Sequence, residues 1–182
     1  MSDLEEQRPG VSRRTVAKAA AWSVPVVALA VSTPAYAASP GIITLTGGGC
    51  KLPGNSNDAF KGNAFGASIE NSFNVPITIT ITDITLNGQD LGDAVVIELT
   101  SCTVLGSSFV IPANTTFSNV AIVTQNAANS SNGTLTISYT ITGGPGGSEQ
   151  ATGSVDAVPP IQGASCTEFT QAERTCINSF AT

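Results

Sequence analysis

The sequence predicts an all-β fold, an antiparallel β-sandwich of seven to eight strands after an N-terminal signal helix. Three observations support this fold class. Apolar and hydroxyl-bearing residues alternate with a period of two over most of the chain after residue 41. Runs rich in Gly and Asn separate these stretches and are typical of turns. The chain also contains four cysteines, and an even number in an exported chain is typical of disulfide bonds.

The strands follow in order from this alternation. The clearest one has Ile77, Ile79 and Ile81 on one face, with threonines between them. The alternation slips after Ile81 because Ile84 has the opposite parity. A β-bulge near Asp83 would return the later apolar residues to the core face. The predicted strands cover residues 42–46, 64–71, 75–86, 94–100, 107–111, 116–124, 133–142 and 151–158.

Two local motifs predict a hairpin and a helix. Asn87-Gly88 directly follows an alternating run, which predicts a β-hairpin with a tight turn. After the signal, only residues 167–175 are expected to be helical, and Thr170 and Glu173 there have the spacing of a capping box. In both motifs, local residues satisfy the backbone conformation or its hydrogen bonds, so the predictions do not depend on the tertiary fold.

The N-terminal residues have the layout of a bacterial export signal. Arg13, Arg14 and Lys18 stand where twin-arginine (Tat) signals carry the same residues, in the pattern Ser/Thr-Arg-Arg-x-Phe-Leu-Lys, and the segment resembles that class. The resemblance implies recognition by the Tat translocase and export of a folded chain. Val16 and Ala17 depart from the pattern and leave the general secretory route as the alternative.

The apolar run at residues 19–31 is too short for a membrane anchor, because a spanning helix needs about 20 apolar residues. Ala35 and Ala37 place small side chains before Ala38, which predicts cleavage by signal peptidase between residues 37 and 38. The mature chain is therefore expected to have no stable membrane span and to be secreted or held at the cell surface.

The composition after residue 37 excludes several functions. Ten acidic and three basic residues make this part acidic, so nucleic acid is not expected as a partner. The chain has no His, which removes the usual general base and the commonest metal ligand. Its single Trp and single Met lie within the first 37 residues. We therefore expect no enzyme and no cofactor.

All four cysteines are expected in disulfide bonds rather than in a zinc site. Their spacing is too wide for zinc and no His assists. Four cysteines allow three pairings. The favoured prediction pairs Cys50 with Cys102, tying the opening strand to a later one, and Cys166 with Cys176, closing a short C-terminal loop.

Four segments follow from these predictions. Residues 1–37 are the signal peptide and 38–62 an N-terminal strand with a Gly/Asn-rich linker. Residues 63–160 are the β-sandwich, and 161–182 a disulfide-closed segment packed on the sandwich.

The order of signals over residues 60–142 resembles bacterial immunoglobulin-like surface domains. The resemblance is carried by Val75-Pro76-Ile77-Thr78-Ile79, by Ile111-Pro112-Ala113-Asn114 before a strand, and by Asn132-Gly133-Thr134-Leu135 near the end. It implies an immunoglobulin-like sandwich and carries no activity of its own. The antibody-type subfamily is excluded because its core Trp is missing from this part of the chain.

Acidic residues supply the only candidate sites. Asp90 and Asp93 lie in a turn with the oxygen ligands that calcium prefers, but the turn lacks the spacing of a calcium loop, so no metal site is predicted. Glu70, Asp83 and Glu98 lie on or near strands and are candidates for a carboxylate pair in a glycoside hydrolase.

The resulting functional hypothesis is an exported, non-enzymatic binding or structural protein whose partner is a cell-surface protein or a glycan. A small secreted hydrolase and a carbohydrate-binding module are the alternatives. Exposure of Phe60, Phe65 and Phe73 in a row would indicate a ligand surface. Tyr139 falls in a core pattern, which disfavours the carbohydrate-binding module.

Overall fold

The structure is a computed structural model that describes residues 42–52, 60–127, 133–158 and 166–180. The predicted signal residues Arg13, Arg14 and Lys18 lie outside the described residues. So do Ala35, Ala37 and Ala38 at the predicted cleavage site.

The described residues form ten strands and one helix. In chain order they are β1 (Ile43–Lys51), β2 (Asn63–Asn71), β3 (Ile77–Leu86), β4 (Gln89–Asp90), β5 (Ala94–Glu98), β6 (Thr103–Gly106), β7 (Ser108–Ile111), β8 (Thr115–Thr124), β9 (Gly133–Gly144), β10 (Gly147–Val158) and α1 (Gln171–Phe180).

Two antiparallel sheets form an all-β sandwich. The first sheet has the order β1-β2-β8-β5-β6. The second has the order β10-β9-β3-β4. β7 also belongs to this sheet: it pairs with the first half of β3, on the same edge as β4. Several hydrogen-bonded neighbours, such as β2 with β8 and β3 with β9, are far apart in sequence.

Apolar residues from both sheets form the core between them. Phe65 and Ile69 come from the first sheet and Ile79 and Ile137 from the second, all fully buried. Tyr139 is buried in the same cluster, as its position in the core pattern predicts, and its hydroxyl accepts a hydrogen bond of 3.2 Å from the backbone N–H of Ile43. Burial raises the pKa of the Tyr139 phenol, while hydrogen bonds with Ile43 and Ile42 oppose that shift.

The bulge predicted near Asp83 is confirmed. Ile81 pairs with Tyr139 and Asp83 with Ser138, so Thr82 is the extra residue of β3. The insertion changes the parity of the strand and returns Ile84 to the core, where it is fully buried.

The predicted hairpin after β3 is also confirmed. Leu86 pairs with Gln89 across the two-residue turn. Asn87 and Gly88 have φ angles of 52° and 74°, the left-handed conformation that such turns require and that Asn and Gly tolerate.

The eight predicted strands correspond to described strands, with shifts at their ends, whereas β4 and β6 were not predicted. Both unpredicted strands are short, and neither has an alternating run of its own. β1 was placed in a segment before the sandwich. In the structure it is hydrogen-bonded to β2 and belongs to the first sheet.

Helix α1 covers the outer face of the first sheet. A second apolar cluster joins Phe169 and Ile177 of the C-terminal segment to Leu99 directly after β5 and to Ala121 and Val123 of β8. The predicted capping box is confirmed: the Thr170 N–H donates to the Glu173 carboxylate at 2.6 Å, and the Glu173 N–H donates to the Thr170 hydroxyl at 3.4 Å. Within the described residues, no helix is long and apolar enough to cross a bilayer.

Two disulfide bonds hold this segment on the sheet, and their predicted pairing is wrong. Cys50 is bonded to Cys166 and Cys102 to Cys176, with Cα–Cα distances of 4.9 and 5.7 Å. Cys50 lies on β1 at one edge of the first sheet, and Cys102 follows β5, towards the opposite edge. Because β2 and β8 separate β1 from β5, about 14 Å of sheet lies between them, too far for a disulfide.

The Glu173 carboxylate is expected to make stability depend on pH. Hydrogen bonds from the Asn119 side chain and from Thr170 lower its pKa and outweigh the opposing effect of burial. A carboxylate with a lowered folded-state pKa stabilises the fold above its ordinary pKa, and the contribution is lost as pH falls through the folded value. In urea titrations at pH 7, Glu173→Gln should lower the free energy of unfolding by about 0.5 kcal/mol. Between pH 5 and 2, the free energy of unfolding of this variant should fall less than that of the native protein.

Glu70→Gln is the matched control for this experiment, because it removes one exposed carboxylate from β2. Equal pH dependence of unfolding in the native protein and in Glu173→Gln would contradict the assigned role of Glu173.

Candidate functional site

A cavity of about 240 Å³ opens at the edge of the sandwich, between β3 of the second sheet and the chain entering β5 of the first. It lies where the edge of β3 lacks a partner strand. β7 pairs with residues 77–80 of this edge and β4 with residues 85–86, which leaves the bulge between them unpaired on that side. We call this cavity the edge pocket. Its lining residues are Phe60, Ile81, Thr82, Asp83, Gly92, Asp93, Ala94 and Ser107.

The β-bulge forms one wall of the edge pocket. Thr82 and Asp83 both line it, and both side chains are exposed. The backbone on either side of the bulge is fixed: the Ile81 N–H donates to the Ser107 carbonyl at 2.9 Å, and the Leu91 N–H donates to the Ile84 carbonyl at 3.0 Å. The bulge therefore both restores the core parity of β3 and places a carboxylate at the cavity.

The opposite wall is the tight turn that leads into β5. The Asp93 carbonyl accepts a hydrogen bond of 2.8 Å from the Gln125 N–H, which anchors Asp93 to the chain after β8. Gly92 has a φ of 72°, and a Cβ there would lie 2.7 Å from the Asn126 side chain. Only glycine fits this position without strain, so the approach of Asp93 to the cavity is set by the backbone.

Phe60 supplies the aromatic part of the lining. It lies just before β2, is half-buried, and also packs against the apolar cluster under α1. Its φ of 57° is unusual for an aromatic residue, and a non-glycine residue in this conformation requires support from its surroundings.

The edge pocket thus combines two carboxylates, two hydroxyl side chains and one aromatic ring, and its lining contains no lysine or arginine. Within the described residues, the Asp83 and Asp93 carboxylates accept no hydrogen bond and form no ion pair, and no three acidic or cysteine side chains are grouped to hold a metal ion. This arrangement presents negative charge beside an aromatic surface.

The candidate acidic residues do not form the predicted groups. Of the hydrolase candidates, only Asp83 lines the edge pocket. Glu98 caps the turn after β5, accepting hydrogen bonds from the N–H groups of Thr100 and Ser101 and from the Ser101 hydroxyl. Burial raises the pKa of Glu98, but the hydrogen bonds from Ser101 and Thr100 outweigh it and lower the pKa. Glu70 is exposed on β2.

The two calcium candidates have different surroundings. Asp93 lines the edge pocket, whereas Asp90 is absent from the lining and its carboxylate accepts a hydrogen bond of 2.7 Å from the Gly92 N–H. This contact is an ordinary Asx-turn, the alternative weighed for this segment.

The phenylalanines do not form an exposed row. Phe65 is fully buried in the sandwich core, while Phe60 and Phe73 are half-buried. Sequence reasoning missed the other five lining residues of the edge pocket, Ile81, Thr82, Gly92, Ala94 and Ser107. The signal for Thr82 was present, because the parity slip in β3 marks the bulge that turns it outward.

Comparison with known proteins assigns no family to this chain: no family model, no curated protein and no solved structure matches it.

Proposed function

We propose that this protein is an exported, non-enzymatic binding protein, an immunoglobulin-like sandwich that acts at the cell surface or outside the cell. Two disulfide bonds carry this proposal: one joins the C-terminal segment to β1 at one edge of the first sheet, and the other joins it to the turn after β5, towards the opposite edge. Disulfides of this kind persist in oxidising compartments, and reducing systems in the cytosol oppose them. They are therefore typical of proteins that act outside the cytoplasm.

The topology supports the immunoglobulin-like part of the proposal. Two antiparallel sheets enclose one core, and neighbouring strands such as β2 and β8 are joined by long connections, as in Greek-key sandwiches. In such domains, binding commonly uses loops and free strand edges. The edge pocket lies at such a place, between the unpaired bulge of β3 and the turn before β5.

A carboxylate-based hydrolase is the second candidate, and the presence of Asp83 and Asp93 in one cavity is the observation in its favour. Glycoside hydrolases place one carboxyl group in a buried, apolar environment so that it stays protonated as the general acid. Both side chains are exposed here, and their cavity is smaller than most substrate clefts. Binding therefore accounts for the pocket better than hydrolysis does.

Export through the signal is tested by following the protein in its native host. We expect the protein to be found outside the cytoplasmic membrane, starting at Ala38 and without free thiols. The double substitution Arg13→Lys and Arg14→Lys should leave most of it in the cytosol as a precursor, because Tat recognition depends on the arginine pair. Cell fractionation, N-terminal sequencing and thiol labelling provide the readouts.

Arg8→Lys is the matched control, because it makes the same charge-preserving change outside the arginine pair. Unchanged export of the double variant would assign the protein to the general secretory route. An uncleaved native protein with four free thiols in the cytosol would overturn the proposed function.

A further inference from the structure

The charged side chains that line the edge pocket are all acidic, which restricts the class of ligand it can bind. Two carboxylates line it, and neither has a hydrogen-bonding or ionic partner within the described residues. The mature chain is acidic as well, so the surrounding field adds to the attraction for cations. An anionic ligand would be repelled by these carboxylates, and a neutral polar ligand would gain hydrogen bonds but no charge attraction.

The pocket favours an organic cation over a metal ion. Tight calcium sites group several carboxylates, whereas within the described residues no three acidic side chains are grouped to hold a metal ion. Phe60 adds an aromatic surface, which attracts ammonium and guanidinium groups through its π face. Ile81 and Ala94 line the same cavity and suit the apolar carbons that carry such a group.

The size of the pocket sets the part of the ligand that enters. A cavity of about 240 Å³ is below the usual range for a complete drug-sized ligand, and it is large enough for one charged head group with a short stem. The backbone on both walls is fixed by the hydrogen bonds of Ile81, Leu91 and Gln125, so the segments that carry the two carboxylates need little reorganisation on binding.

We propose that the edge pocket binds the ammonium or guanidinium head group of an organic cation, between the carboxylates of Asp83 and Asp93 and beside the ring of Phe60. This inference rests on the proposed binding function and specifies its ligand class. The cation is either a free small amine or a basic side chain of a partner protein, and both present the same chemistry to the pocket.

Titration of the oxidised protein with defined probes tests the proposal, with calorimetry and NMR chemical shifts as readouts. The probes are choline, agmatine, a blocked Gly-Arg-Gly peptide and calcium chloride. A neutral control, 3,3-dimethyl-1-butanol, has the shape of choline without its charge. We expect agmatine or the peptide to bind with a Kd on the order of 1 mM or below, and the neutral alcohol not to bind.

Three variants locate the binding. Asp93→Asn and Asp83→Asn should each weaken agmatine binding about tenfold, because each removes one charge-assisted contact. Phe60→Leu should weaken choline binding several-fold and agmatine binding less, since choline has no N–H group to donate. Glu70→Gln removes an equal charge outside the pocket and should leave every affinity unchanged.

Binding of the peptide at least as tightly as agmatine would identify the source as a side chain of a partner protein, and binding of agmatine alone would identify a free amine. Both results support the pocket assignment. Binding of calcium alone, binding of no cation, or equal binding by Asp93→Asn would overturn it. Each of these results leaves the export and thiol measurements unaffected, so failure of this inference is distinct from failure of the proposed function.

Discussion

Removing the Cys50–Cys166 disulfide by the double substitution Cys50→Ala and Cys166→Ala is expected to lower the free energy of unfolding by about 3–5 kcal/mol. The bond joins residues separated by 116 positions, so its loss frees a long loop in the unfolded chain. The folded state loses as well, because Cys50 and Cys166 belong to the apolar cluster between α1 and the first sheet. For a domain of this size, the melting temperature should fall by about 10–15 °C.

The Cys102–Cys176 bond is the matched comparison. Its residues are separated by 74 positions, and Cys102 is exposed. Cys102→Ala with Cys176→Ala should cost slightly less through loop entropy, because the closed loop is shorter. Loss of both bonds should release α1 and expose Leu99, Ala121 and Val123, which are buried under the helix. Binding of an apolar dye to the reduced protein detects that surface.

The pairing itself has a direct chemical test. No lysine or arginine lies between Lys61 and Arg174, so trypsin alone leaves Cys102 and Cys166 on one peptide. Added cleavage after Glu98, Glu149 and Glu168 places each cysteine on its own peptide. Mass spectrometry of the unreduced digest should then show residues 99–149 linked to 175–182. A link between the peptides of Cys50 and Cys102 would contradict the structure, as would a loss below 1 kcal/mol on removing Cys50–Cys166.

Local patterns in the sequence predicted β3, its bulge, the turn after it and the helix cap because the constraints on them are local. The period-two alternation and the parity slip after Ile81 place β3 and its bulge, and Asn87-Gly88 can form few turns other than the one observed. The capping box at Thr170 and Glu173 likewise depends on residues three apart. Each of these features is decided within one turn or one strand, so no knowledge of the tertiary fold is needed.

Features that depend on sheet order were not predictable in this way. The favoured pairing of Cys166 with Cys176 assumed that a short separation makes a short loop, but the chain between them forms a turn and then α1. Cys166 lies by β1 and Cys176 by the turn after β5, towards opposite edges of the first sheet. Choosing between the pairings needs the order of strands in that sheet, which alternation alone does not encode.

The edge pocket was missed for the same reason. Sequence reasoning assigned Asp83 to a hydrolase pair and Asp93 to a calcium turn, because the two residues were read in separate segments. The structure brings them to one cavity, since β3 and the chain entering β5 meet at the open edge of the sandwich. The bulge and the glycine turn were both visible in the sequence, but their proximity was not.

A buried amide at the end of β2 carries the second large expected effect. Asn71 is 1% exposed, and its amide nitrogen donates to the carbonyl oxygens of Val75, Ile111 and Pro112 at 2.9, 3.1 and 2.9 Å. Its side-chain oxygen accepts a hydrogen bond of 3.0 Å from the Phe73 N–H. The amide thereby joins the β2–β3 connection to the end of β7, which are two of the three segments that carry the resemblance to immunoglobulin-like domains.

Asn71→Leu should therefore lower the free energy of unfolding by about 2–4 kcal/mol, because it leaves these backbone groups without their partner at a buried position. Asn74→Leu is the control, since Asn74 is exposed three residues further on and should change stability by less than about 0.5 kcal/mol. Equal unfolding midpoints for the two variants in urea would contradict the role of Asn71.

Asn71→Asp separates the hydrogen bonds of this amide from its shape. The carboxylate has nearly the same size but faces three carbonyl oxygens without a proton to donate, so the loss at pH 7 should be at least as large as with leucine. Carbonyl oxygens and burial disfavour the ionised form and raise the pKa of the introduced carboxyl group in the folded state. A raised folded-state pKa makes the neutral form stabilising at low pH, and that contribution is lost as pH rises. The deficit of Asn71→Asp relative to the native protein should therefore shrink as pH falls from the raised folded-state pKa to about 4, the ordinary pKa of aspartate, and stay level below it. The deficit of Asn71→Leu should not change with pH. Parallel pH profiles for the two variants would show that packing rather than hydrogen bonding determines the effect.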